Sequence, residues 1–262
     1  MLTSNKLLNF CSPLTYAFLL YLIINLIRVT GKIFLIPVTL GGSDFRQVIP
    51  ENVINVTVAL RYFVVENVRS ARRYLRLIDK KFPINESVFF ELNEHTNNAE
   101  ISTFLEPVMN GYDIGLMSEA GLPGIADPGT NLLNFAHEKN IKIVPQSGPS
   151  SIILALISSG MNGQNFTFNG YLPVKAFERD SKLKEIENRS KTGIAQIFME
   201  TPYRGQKMLE AILSVCNNNT RLCIAADITL QTEFIKTKKI SEWKKESPIL
   251  SNRLVIFIIQ AS

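Results

Sequence analysis

Twelve residues in the middle of the chain, SEAGLPGIADPG at positions 118–129, combine three glycines with two prolines. Such a run continues neither a helix nor a strand ladder, because glycine leaves the backbone loose and proline lacks an N–H. It must be a tight loop of defined shape. Gly121 and Gly124 let the backbone approach a ligand closely, and Pro123 and Pro128 stiffen the path between them. In an open α/β sheet, ligands bind beyond the carboxyl ends of the strands. A stiff, glycine-lined loop that follows the apolar run 112–117 is therefore a binding-loop candidate; a turn packed under a neighbouring helix is the competing reading. A second group is Arg69, Arg72, Arg73 and Arg76, spaced i, i+3, i+4, i+7. That spacing gathers four guanidinium groups on one helical face. They repel one another unless anions neutralise them, and phosphate oxygens match the guanidinium fork. The alternative is a solvated face paired with acids such as Glu66 or Asp79.

Other chemistries lack their residues. The three cysteines, Cys11, Cys216 and Cys223, form neither a paired framework nor a C-x-x-C, and there are two histidines. The cysteines read as reduced buried thiols and the inventory gives no metal site. No G-x-x-x-x-G-K-[ST], no G-x-G-x-x-G after the first strand and no G-x-S-x-G elbow is present, which removes the usual nucleotide, dinucleotide and serine-hydrolase signatures. A net charge of +5 with pI near 9.1 is compatible with an anionic partner without requiring one.

The elements that must position these residues alternate. Apolar runs at 32–36, 60–65, 87–92, 112–117, 141–144, 193–199, 220–226 and 254–259 read as strands. Segments 50–55, 66–81, 99–110, 130–139, 151–159, 175–191 and 205–216 read as helices. Glu66 stands at the positive end of the second of these. Strand, Gly/Pro loop and helix recur at 37–42, 118–129 and 145–151, which predicts a parallel α/β sheet with three loops at one edge. The polar, aromatic stretch 161–173 reads as the crossing between two domains. The chain is expected to divide into an N-terminal extension, 1–30, and two α/β domains, 31–146 and 147–262. Residues 13–27 are apolar and uncharged, shorter than the roughly twenty a membrane helix needs. They read as an anchor or a gene-model artefact, and less well as a cleaved signal.

At this level the loops become recognisable. SEAGLPGIADPG resembles the S-D-A-G-T-P-G-x-x-D-P-G loop of the small-subunit ribosomal RNA 2′-O-ribose methyltransferases, a branch of the tetrapyrrole-methylase superfamily. Five further segments match in order: IPVTLG at 36–41, ENVR at 66–69, GPSS at 148–151, GYLP at 170–173 and ETPYR at 200–204. They stand where that family has V-P-T-P-I-G, E-D-T-R, G-P-S-A, G-F-L-P and E-S-P-H-R. Glu119, Leu122 and Tyr203 depart from the family's aspartate, threonine and histidine, and the chain looks like a shorter, divergent member.

The resemblance implies two α/β domains with S-adenosylmethionine in the cleft between them. The cofactor would touch Leu40, the loop Leu122, Pro123, Gly124 and Ile125, and Ser150 and Ser151, with Met199 and Ala226 completing the site. Removal of a proton from a ribose hydroxyl needs a nearby base. Glu66, Glu119 and Glu200, each at a strand end in a matching segment, are the candidates; taken singly, each reads more readily as an acceptor for loop N–H groups. Arg204 joins the four helix arginines as a candidate RNA contact. Small-subunit ribosomal RNA as partner, a homodimer and a cytoplasmic location complete the expectation, with membrane contact only if residues 1–30 are an anchor. The alternatives are methyl transfer to a tetrapyrrole or other small acceptor, and a non-catalytic RNA-binding relative.

Overall fold

The computed structural model describes residues 30–261. The readings of residues 13–27 as an anchor or an artefact lie outside the described residues. Among those described, no helix is long and apolar enough to cross a membrane.

Two five-stranded sheets carry the chain. The first uses β1 (Lys32–Leu35), β2 (Tyr62–Val65), β3 (Val88–Glu91), β4 (Ile114–Met117) and β5 (Lys142–Pro145), all parallel, in the order β3-β2-β4-β1-β5. Side chains alternate between its faces. Phe63, Val65, Ile36 and Met117 meet helices α1 (Glu51–Ala59) and α2 (Val68–Ile78) on one side. Ile33, Val64, Ile114 and Leu116 meet α3 (Asn98–Thr103), α4 (Glu106–Met109) and α5 (Gly129–Glu138) on the other. The neighbouring strands β1 and β4 therefore send their chains to opposite faces. That divergence is a topological switch point, and it opens a crevice beyond their carboxyl ends.

The second sheet contains β6 (Phe166–Tyr171), β7 (Ala195–Glu200), β8 (Arg221–Ala226), β9 (Phe234–Lys239) and β10 (Val255–Gln260), in the order β6-β7-β10-β8-β9. Helices α7 (Ala176–Ser190), α8 (Gly205–Val215) and α9 (Ile240–Trp243) cover one face through Leu183, Leu209, Ile212 and Trp243. Helix α6 (Ser151–Ser159) covers the other, and Leu40, from the loop after β1, packs into that same cluster. Leu40 thus ties the first sheet's loop to the second sheet's core.

Several expectations are corrected. Only β6 and β7 are parallel in the second sheet; the other pairings are antiparallel. The stretch 161–173 contains β6, a half-buried edge strand with a register shift between Phe168 and Tyr171. Strand β9, FIKTKK, lies outside the expected apolar runs because it is a lysine-bearing edge, a composition that blunts unwanted pairing. The helix expected over 99–110 is two short ones, with Pro107 at the start of the second, where its missing N–H costs nothing. The helix expected from residue 66 starts at Val68. Asn67 caps it, its side chain accepting from the Ser70 N–H at 3.0 Å, so Glu66 lies outside the first turn. Cys216 and Cys223 are free and buried, and burial pushes the Cys216 thiol up to about 12.

Candidate active site

The three Gly/Pro loops meet. Val38 of the first forms an isolated antiparallel bridge with Gly121 of the second, its N–H donating to the Gly121 carbonyl at 2.9 Å. Gly121 holds φ at +73°, where a Cβ would press on the Leu40 side chain and the Pro149 carbonyl of the third loop. Only glycine permits that approach without strain. Gly148 of the third loop lies directly against the Pro37 ring of the first.

Inside the middle loop, Asp127 does the folding. Its carboxylate accepts from the Gly124 N–H at 2.8 Å and from the Gly129 N–H at 2.8 Å. The turn residue Ala126 takes φ of +58°. Burial pushes the Asp127 carboxyl up from its ordinary value, against those two bonds, which hold it down.

Where the loops converge, a cavity of about 320 Å³ opens between the sheets, in the size range of small-molecule sites. Its floor is apolar: Leu40, Leu122, Ile152, Met199, Ala225, Ile228 and Ile256. Its polar groups are the carboxylates Glu66, Glu119, Asp127 and Glu200, the hydroxyls of Ser118, Ser150 and Ser151, and Tyr171. Ser150 caps α6, its hydroxyl accepting from the Ile153 N–H at 3.4 Å, so the helix presents its positive end to this wall.

The three glutamates differ in how far they are committed. Both oxygens of Glu200 are engaged: Oε1 accepts from Arg204 Nη2, and Oε2 from the Thr201 N–H at 3.0 Å. Glu66 Oε2 accepts from the Glu119 N–H at 3.1 Å and so staples the end of β2 to the middle loop. Glu119 is exposed, and its Oε1 accepts from the Ser70 hydroxyl at 3.0 Å. Burial raises the carboxyls of both Glu66 and Glu200 above their ordinary values. For Glu66 the Glu119 N–H opposes that rise, while the neighbouring Glu119 and Asp127 charges add to it. Burial also raises the Tyr171 hydroxyl, helped by the charges of Glu200 and Glu66, which places this side chain under the influence of carboxylates from both sheets.

Of the residues expected at the cofactor, Leu40, Leu122, Ile125, Ser150, Ser151 and Met199 line the cavity, as do all three glutamates. Pro123, Gly124 and Ala226 are not among its lining residues. Pro123 is buried in the loop, and Gly124 serves the Asp127 turn. Ala226 points into the opposite cluster, under α8, while Ala225 takes the cavity side. The parity of β8 is set by its pairing with β10, Ala225 opposite Ile256, which the strand's own residues do not reveal. Sequence reasoning also missed Tyr171 and Asp127 as lining residues, although both stand inside matching segments.

The arginines fall in two places. Arg69, Arg72, Arg73 and Arg76 are exposed along α2, and none forms an ion pair among the described residues. Arg72 lies over the Phe89 ring at 5.2 Å, and Arg76 donates to the Lys80 carbonyl at 2.6 Å. Arg204 is turned inward, donating to Glu200 and to the Leu172 carbonyl at 3.2 Å.

Comparison with known proteins adds a family and a fold. No protein-family model matches the chain. Ribosomal RNA small subunit methyltransferase I of Buchnera aphidicola subsp. Schizaphis graminum is 30% identical over 226 residues, 85% of this chain and 75% of that protein. The protein of the same name from Vibrio cholerae is 29% identical over 211 residues, 80% of this chain and 69% of its own. That from Escherichia coli O157:H7 is 29% identical over 234 residues, covering 88% and 78%. Among solved structures, the methyltransferase CobJ superposes with a TM-score of 0.59 at 13% identity, over 89% of this chain and 95% of that one. Cobalt precorrin-4 methyltransferase CbiF gives 0.54 at 12% identity, over 87% and 94%. At such identities these two establish the likeness of fold.

Proposed function

The chain belongs to the family of ribosomal RNA small subunit methyltransferase I, and from that premise we propose that it is an S-adenosylmethionine-dependent enzyme methylating a ribose 2′-hydroxyl of small-subunit ribosomal RNA. The observation that carries the reading is the cavity at the switch point, walled by the second sheet and by all three Gly/Pro loops at the carboxyl ends of the first. Its residues fit such a donor. The apolar floor suits a purine ring, and the carboxylate rim suits a sulfonium and an ammonium. The start of α6 suits a carboxylate. Leu40, Leu122, Ile125, Ser150, Ser151, Met199 and Ala225 are the residues that would hold it. Bound there, the cofactor would supply a methyl group on a positively charged sulfur, and loss of that methyl to the ribose oxygen would leave a neutral thioether.

The protein's share is positioning and proton removal. Walls that exclude water and hold acceptor and donor in register supply much of the rate of such a displacement. A carboxylate then takes the hydroxyl proton as the oxygen–carbon bond forms. Glu200, with both oxygens bound, is a strut that aims Arg204 and the loop after β7. Glu66 and Glu119 each keep an oxygen without a hydrogen-bond partner among the described residues, and they are the two candidate bases. On this reading the enzyme works in the cytoplasm, where small subunits are assembled, as a homodimer of two-domain chains divided near residue 146.

Incubation of the purified protein with methyl-labelled cofactor and small-subunit ribosomal RNA, followed by mass mapping of the modified nucleotides, tests the proposal. Label on one ribose is the expected result. Label found only on a tetrapyrrole or another small acceptor would overturn it. Calorimetric binding of the cofactor separates the enzyme from a non-catalytic RNA-binding relative, which would take up RNA and give no heat with the cofactor.

A further inference from the structure

Beside the first cavity lies a second, of about 330 Å³. The two share a wall, Ser118 and Glu119 lining both. The far side of the second cavity is helix α2, through Ser70, Arg73 and Leu77, and its mouth is the segment Gly41, Gly42 and Ser43. Three features make this a seat for one particular kind of group. Arg73 lines the cavity, is exposed and forms no ion pair among the described residues, and it belongs to the four-arginine face of α2. Apolar Val38 and Leu77 line the same space, offering a surface for a planar ring. The carboxylate on the shared wall is fixed: the Ser70 hydroxyl holds Glu119 Oε1 at 3.0 Å.

We propose that this second cavity seats the acceptor nucleotide of the RNA, with Arg73 on its phosphate and Glu119 beside its ribose. The inference rests on the methyltransferase reading above and adds what that reading lacks, namely the place of the acceptor. A guanidinium with no internal partner is available to a phosphate, and the stripe continues the contact along the backbone of the strand through Arg69, Arg72 and Arg76. A ribose in this seat meets the donor cavity across Glu119, so of the two free carboxylates Glu119 is the one that faces both reactants. Ser70 is then a positioning residue, orienting that carboxylate without touching either reactant.

The test uses the full chain and measures two affinities separately, small-subunit ribosomal RNA by filter binding and S-adenosylmethionine by calorimetry. Arg73→Ala weakens RNA binding about tenfold and lowers the slope of log affinity against log salt by about 0.7, the share of one phosphate on a single strand. Its affinity for the cofactor is unchanged. Ser43→Trp, which narrows the mouth, raises KM for RNA and leaves the salt slope as in the wild type. Lys184→Ala, removing an exposed charge on α7, changes neither. If Arg73→Ala and Ser43→Trp bind and methylate RNA like the wild type, the acceptor seat is elsewhere and the methyltransferase reading stands. If the wild type transfers no methyl group to any RNA, both readings fall together.

Discussion

Gly148→Ala is the sharpest perturbation of the loop cluster. A Cβ at Gly148 would stand 2.1 Å from Pro37 Cβ and 2.5 Å from Pro37 Cγ. Carbon atoms in contact sit about 3.5–4.0 Å apart, so the two loops must part by roughly 1.5 Å. Little can yield. Pro37 is a rigid ring whose carbonyl is held by the buried Tyr74 hydroxyl at 3.0 Å, and the next residue is bridged to Gly121. Overpacking of this kind costs about 1–3 kcal/mol, which for a chain of this size lowers Tm by roughly 3–9 °C. The displaced walls are those carrying Leu40 and Ser150, so cofactor affinity falls too, and a shift of about 1 Å at the reacting centre is enough to lose roughly a hundredfold in rate. Thermal melting by circular dichroism and calorimetric titration with S-adenosylmethionine read both effects. Gly163→Ala, where a Cβ meets nothing within 4 Å, is the control and leaves both unchanged. A Gly148→Ala protein that melts within about 1 °C of wild type and binds the cofactor equally well would refute the loop packing described above.

Three further outcomes follow from the carboxylates. Burial raises the folded-state pKa of Glu66, so its contribution to stability is full below the unfolded value, about 4.3, and is lost as pH rises through the folded value. Glu66→Gln therefore raises the urea midpoint at pH 8 and the difference closes towards pH 4; a difference that does not vary with pH would contradict burial as the cause. Glu200→Ala strips the acceptors from Arg204 and from the Thr201 N–H and lowers unfolding free energy by about 3 kcal/mol, the low end for breaking a buried pair because Arg204 keeps some contact with water. Denaturant titration measures it, and a loss below about 0.5 kcal/mol would mark the pair as solvent-screened. Asp127→Ala strands the Gly124 and Gly129 N–H groups and costs about 2 kcal/mol, with weaker cofactor binding; wild-type affinity in that variant would show that the turn does not shape the cavity.

What the chain alone determined is local. The helix over 151–159, the strand–loop–helix repeats and the ligand-loop character of 118–129 follow from apolar period, glycine and proline, which act between neighbours a few residues apart. The six matching segments likewise needed no coordinates. Tertiary structure decided the rest, because it depends on partners far away in sequence. Pairing with β10 turned Ala225 rather than Ala226 to the cavity. The Asn67 cap took Glu66 out of α2 and freed it to bind the loop 53 residues on. Arg204 consumed Glu200, leaving two carboxylates where the sequence offered three. The lysine-rich edge β9 is a strand only because β8 supplies its hydrogen bonds. A side chain's type is written in the chain; its face, its partner and its remaining free oxygen are properties of the packed molecule.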